Sequence, residues 1–173
     1  MVAEVLRRGK YSLTPVILED LDEIVEHLSE QNVEELMLLG HSNVSEAIRY
    51  MILNTECYIA RKDGHPFTFV GGLWPDLDGN APQMFALFSS DLRENFVSIA
   101  RGSKDLLKIF EQYHDTILMK ILMKNEAMLN WACWLGFTPE EIIESDGVEY
   151  VSFVRCILPK TNVYTCESRP VMH

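Results

Sequence analysis

Hydrophobic and polar positions change their period several times along the chain, and each change marks an element. From Tyr11 to Leu18 the residues are strand-like, whereas beyond Glu19-Asp20 the apolar side chains of Leu21, Ile24, Val25 and Leu28 fall at helical spacing. This predicts a strand followed by an amphipathic helix. Helical spacing returns over Gln31–Leu39 and Ser42–Leu53, with Gly40 breaking the run and Ser42 or Asn43 placed to cap the second piece. Cys57-Tyr58-Ile59-Ala60 and Phe67-Thr68-Phe69-Val70 are β-rich runs on either side of Lys62-Asp63-Gly64-His65-Pro66, which predicts a hairpin.

Gly71-Gly72, Pro75, Asp76, Asp78, Gly79, Asn80 and Pro82 read as a loop, and the nearly continuous apolar run Met84 to Phe88 as a central strand buried on both faces. Asp91-x-x-Glu94 fits a capping box for a helix carrying Phe96, Val97 and Ile99, then Leu106, Leu107, Ile109 and Phe110. Gly102 interrupts that pattern, and Ser103 is placed to cap a second half. Thr116–Met123 suits either a continuation of the helix or a buried strand, and we read it as a strand. Asn125 then caps a helix through Leu135 that ends at Gly136, and Glu141–Ile143 pairs with Val148–Val154 across Ser145-Asp146-Gly147. The order is mixed α/β without internal repeats. No Pro/Gly/Ser-rich linker divides it, so residues 1–157 are expected to form one domain, with residues 158–173 a tail that orders against a partner.

Composition adds constraints to this pattern. The chain has 173 residues, 47% of them hydrophobic, and at that length a folded chain buries roughly 70% of its unfolded surface. No disulfide or metal staple is needed. The 15 Lys and Arg against 26 Asp and Glu give a net charge of −11, which repels phosphate backbones and anionic membranes. The longest basic run, Arg7-Arg8 with Lys10, is too short for a nucleic-acid footprint. Cys57, Cys133, Cys156 and Cys166 form no CxxC pair, and we expect reduced, mostly buried thiols. No HxxxH or HExxH spacing supports a metal site, and neither an apolar leader nor an 18-residue apolar run is present. The expectation is a protein of the cytosol or the interior of a particle, without a membrane span.

The segment from Asn125 through Trp131, Trp134 and Leu135 to Gly136-Phe137 resembles the N-x(10)-G-F signature of the Gcn5-related N-acetyltransferase (GNAT) superfamily. The order of predicted elements follows that fold over nearly the whole chain, so the resemblance implies a mixed, mostly antiparallel central sheet flanked by helices. Four stretches resemble, more narrowly, a phage-encoded GNAT-like family that includes the small internal virion protein of T7-like podoviruses. They are Gly64-x-Pro66 leading to Val70-Gly71-Gly72, Phe88-Ser89-Ser90-Asp91, Phe110-x-x-Tyr113, and Asn125 onward to Gly136-Phe137. This resemblance implies a location in the host cytoplasm or the phage virion.

In GNAT enzymes a strand pairs with the pantetheine of acetyl-CoA, a glycine-rich loop at a helix start holds the pyrophosphate, and a Tyr seven positions after the helix-capping Asn protonates the leaving thiolate. Carried onto this chain, the resemblance makes Leu87, Phe88, Ser89 and Asn125 the candidate cofactor-binding residues. The loop pattern is missing, because Asp91–Lys104 holds only Gly102, and position seven is Ala132. Arg93, Arg101 and Lys104 read as solvated helix charges, Tyr113 and Tyr150 as packing residues, and Asp91 as a cap rather than a base for an amine. Trp131 and Trp134, near Met119, Met123 and Met128, suit either an apolar pocket or the core, and we read them as core.

Three functions fit these features. One is a non-catalytic GNAT-fold virion or host-interaction component that binds a protein partner. Another is an acetyl-CoA-dependent N-acetyltransferase acting on a protein or small-molecule amine. The third is an acidic inhibitor occupying a host nucleic-acid groove.

Overall fold

A computed structural model of the chain describes residues 6–63, 65–75 and 81–157. The expected tail over 158–173 lies outside the described residues. Eight strands form one sheet in the order β1-β2-β3-β4-β5-β6-β8-β7, in which β5 and β6 are parallel and every other neighbouring pair is antiparallel. The strands are β1 (Leu6–Arg8), β2 (Tyr11–Pro15), β3 (Glu56–Lys62), β4 (His65–Trp74), β5 (Gln83–Phe88), β6 (Thr116–Leu122), β7 (Thr138–Ser145) and β8 (Val148–Cys156). Helices α1 (Leu21–His27), α2 (Glu30–Leu38) and α3 (Val44–Asn54) link β2 to β3, α4 (Phe96–Phe110) links β5 to β6, and α5 (Glu126–Trp134) links β6 to β7. No helix among the described residues is long and apolar enough to cross a membrane.

Each face of the sheet carries its own core. The α4–α5 side buries Leu13, Phe69, Leu106, Phe110, Ile117 and Phe153, and the α1–α3 side buries Ile24, Ile48, Ile59 and Phe67. Local chemistry sets several boundaries as expected. Asn43 Oδ1 accepts from the Glu46 N–H and caps α3, Asn125 Oδ1 accepts from the Met128 N–H and caps α5, and Gly136 takes the left-handed φ of +89° that ends α5. The β7–β8 turn places Asp146 and Gly147 at φ 51° and 76°, the pair of positive angles that matches the twist of a two-residue hairpin.

Tertiary packing overrides the sequence pattern elsewhere. Gly71 and Gly72, expected in a loop, belong to β4. A Cβ on Gly71 would meet Leu106 Cδ2 at 2.3 Å, and one on Gly72 would meet Phe85 at 2.5 Å. Helix α4 runs unbroken through Gly102, whose missing side chain makes room for the Tyr11 ring. Ser103 caps nothing and instead donates to the Ile99 carbonyl at 2.7 Å. The Asp91-x-x-Glu94 box does not start the helix either. The Asp91 carbonyl accepts from the Glu94 and Asn95 N–H groups in a turn, and α4 begins one turn later at Phe96. Strand β1 was not legible in the pattern, and two cysteines expected to be buried, Cys133 and Cys156, are exposed. Tyr113, read as a packing residue, is 74% exposed.

Candidate functional site

Parallel strands β5 and β6 pair at only two positions, Gln83 with Leu118 and Met84 with Met119, and beyond Met84 they diverge. The divergence opens a slot through the sheet at the strands' C-terminal ends. A groove of about 480 Å³ lies on the α2–α3 side of the slot and is lined by Glu35, Leu39, Tyr50, Leu87, Lys120 and Tyr150, among others. On the α4–α5 side lies a cleft of about 610 Å³, walled by Phe96, Ile99, Met128, Trp131 and Trp134 with Phe88 at its base. Asn32, Asn125 and Met128 border both spaces.

A polar chain crosses the slot. Asn32 Oδ1 accepts from the Phe88 N–H at 2.8 Å and from Ser29 Oγ at 2.9 Å, and Asn32 Nδ2 donates to Glu35 Oε2 at 3.4 Å. Asn125 Nδ2 donates to Glu35 Oε1 at 2.6 Å. The Glu35 carboxylate thus has two amide partners, while the nearby Lys124 ammonium pairs with Glu34. Burial therefore raises the Glu35 pKa, against the opposing pull of the two amide hydrogen bonds.

Three of the four candidate cofactor residues line the spaces at this slot, and Ser89 lines neither. Leu87 is buried and lines the groove, and Phe88 is buried at the base of the cleft. Ser89 is 1% exposed, with its N–H bonded to the Thr68 carbonyl and its Oγ without a partner. Asn125 is 3% exposed and both caps α5 and holds Glu35. Because N–H direction alternates along a strand, Phe88 and Ser90 turn their backbone groups away from β4, toward the gap. Both are engaged there by the α1–α2 connection: the Phe88 carbonyl accepts from the Ser29 N–H at 2.9 Å, and the Ser90 N–H donates to the His27 carbonyl at 2.9 Å. An antiparallel bridge between Leu28 and Ser89 completes this pairing. Residues 27–29 and the Asn32 side chain therefore occupy the lane beside the end of β5.

The start of α4 is apolar rather than polar. Asn95 stands at its cap position without a side-chain capping bond, and the first two helical residues are Phe96 and Val97, 63% and 61% exposed. Trp131 and Trp134, read from sequence as core, line the cleft, and the Lys104 ammonium sits 4.0 Å from the centre of the Trp134 ring. Glu35 and Asn32 were not among the predicted residues. Among the described residues, no three His, Cys, Asp or Glu side chains gather as metal ligands would.

No protein-family model matches the chain, and the search of curated proteins finds no similar sequence. Solved structures do match in shape. A protein from Bordetella pertussis described as a GNAT-family acetyltransferase superposes with a TM-score of 0.69 at 16% identity, covering 89% of this chain and 100% of its own. The ribosomal-protein-S5-alanine acetyltransferase from Vibrio fischeri gives 0.65 at 10% identity, covering 89% and 96%. A ribosomal L7/L12 α-N-protein acetyltransferase solved in complex with coenzyme A gives 0.66 at 10% identity, covering 90% and 98%. The fold of this chain is that of the GNAT acetyltransferases, as the resemblance of its sequence implies.

Proposed function

We propose that this chain is a GNAT-fold binding protein, a phage-encoded component that engages a protein of the particle or of the host cell, and that it does not carry acetyl-CoA as the transferases do. The observation that carries this reading is the filled lane beside β5. Pantetheine would need the backbone groups of Phe88 and Ser90 that residues 27–29 and Asn32 already hold. Pyrophosphate would need close approach to free N–H groups at a helix start, and here it would meet Phe96 and Val97, with Glu94 adding negative charge. On this reading the residues present do not fit the coenzyme. A protein partner suits the exposed apolar side chains at the groove, where Leu39 and Tyr50 are 59% and 58% exposed.

A second reading, N-acetyl transfer to an amine, is favoured by one feature. Glu35 is a half-buried carboxyl of raised proton affinity facing the groove beside the slot, which is the position and chemistry of a general base. Calorimetric titration with acetyl-CoA and with CoA separates the two. No heat and no thermal shift at roughly 1 mM ligand, an affinity no better than about −4 kcal/mol, supports the binding protein. Micromolar binding that weakens in Asn125→Ala supports the transferase and overturns the first reading.

A further inference from the structure

The cleft between α4 and α5 stands out chemically from the rest of this acidic chain. Its lining holds no charged residue: the walls are aromatic and aliphatic, and the polar groups, the buried Asn32 and Asn125 at its inner end together with Ser29, Gln31 and Asn130, are all neutral. At the opposite end the lining reaches Trp134, and over that ring lies the Lys104 ammonium. Among the described residues Lys104 has no carboxylate partner, and the ring is its contact.

An apolar trough of about 610 Å³ whose end is marked by the Lys104 ammonium over Trp134 matches a ligand of one kind. We propose that this cleft binds a single-chain amphiphile with an anionic head, such as a fatty-acid carboxylate, its alkyl chain lying between α4 and α5 and its head on Lys104. Along α4 the path from Phe96 to Lys104 spans eight residues, about 12 Å at the helical rise, enough for a medium-length chain. Burial of each methylene contributes about 0.8 kcal/mol, so the tail supplies most of the affinity and the partly exposed head contact sets the preference among heads. The proposal rests on the first reading above only in that coenzyme leaves the cleft free.

Three probes with the same tail test it: decanoate, decanol and decyltrimethylammonium, titrated into the full chain and followed by tryptophan emission. Trp131 and Trp134 report the cleft, and Trp74→Phe removes the signal from the other side of the sheet. Saturable 1:1 binding of decanoate is expected, about two- to fivefold tighter than decanol and tighter still than the cation. Lys104→Gln is expected to bring decanoate level with decanol. Ala100→Phe and Ala127→Phe, two changes on opposite walls, fill the cleft, and either that folds should lose all three probes. No saturable signal from decanoate below about 2 mM overturns the proposal. So do equal affinities for the three heads, or binding untouched by both filling variants. Acetyl-CoA titrated into the same preparation is scored separately, so failure of the coenzyme reading is not confused with failure of the amphiphile site.

Discussion

Glu35 Oε1 lies 2.6 Å from Asn125 Nδ2 across ninety residues of sequence, and this contact ties α2 to the first turn of α5 over the opening between β5 and β6. Asn125 does two jobs with one side chain: its Oδ1 caps α5 while its Nδ2 serves the carboxylate.

Asn125→Ala should therefore cost more than a cap alone. The lost cap is worth about 1 kcal/mol, and losing one donor to the half-buried carboxylate adds about 1 kcal/mol, so urea unfolding should show a loss of about 2 kcal/mol. Asn125→Asp keeps the cap but sets two carboxylates against each other. Each then holds a proton more tightly folded than unfolded, so this variant should match the native protein in acid and fall behind it as pH rises through the carboxylate range.

The sign for native Glu35 follows from the same linkage. Its folded pKa is raised, so the folded state binds the extra proton, and stability declines as pH rises from the ordinary carboxylate value through the raised one. Glu35→Gln keeps an oxygen for the Asn125 amide and removes the charge. Thermal melts across that window should show the native midpoint falling with pH relative to the variant's, the difference isolating the Glu35 contribution.

Removing the side chain that caps the end of β5 should expose that strand's edge. Asn32→Ala leaves the Phe88 N–H without its acceptor, at a cost of about 1–3 kcal/mol, and amide exchange at Phe88 should accelerate relative to Leu87. Unchanged protection at Phe88 would mean that Asn32 does not hold the lane.

Gly102→Ala sets a local preference against packing. Alanine in a helix interior gains about 1 kcal/mol over glycine, but the new Cβ would lie 1.9 Å from Tyr11 Oη and 2.9 Å from the Phe69 ring, in a fully buried part of the core. Overpacking of that kind costs about 1–3 kcal/mol, so a net loss is expected in denaturant titration, and Tyr11→Phe should restore part of it.

Elements whose cause is local were legible in the sequence. The Asn125 cap with its Gly136 terminator, the Asp146-Gly147 hairpin and the apolar run of β5 each carry their instruction within a dozen residues. The failures share one origin. Gly102 reads as a helix breaker until the Tyr11 ring, ninety-one positions earlier, is packed on it, and Gly71-Gly72 reads as a turn until Leu106 and Phe85 arrive. Glu35 carried no signal beyond its place on an amphipathic helix, next to the inward pair Asn32 and Leu36, because its role depends on an asparagine from another part of the chain. Strand β1, three residues long, is too short to show a period.

The two-position seam between β5 and β6 also bears on how the molecule comes apart. On one side of it β1 to β5 form a five-stranded half-sheet, and on the other β6, β8 and β7 come from one contiguous stretch of chain, Thr116 to Cys156. Few backbone hydrogen bonds cross the seam, and the Glu35–Asn125 and Glu34–Lys124 contacts act as rivets at its open end. The C-terminal half-sheet with α5 is thus held to the five strands beside it chiefly by side chains, Ile117 and Phe153 sharing one core with Leu13 and Phe69. Whatever enters the slot presses on the seam where backbone pairing across the sheet is thinnest.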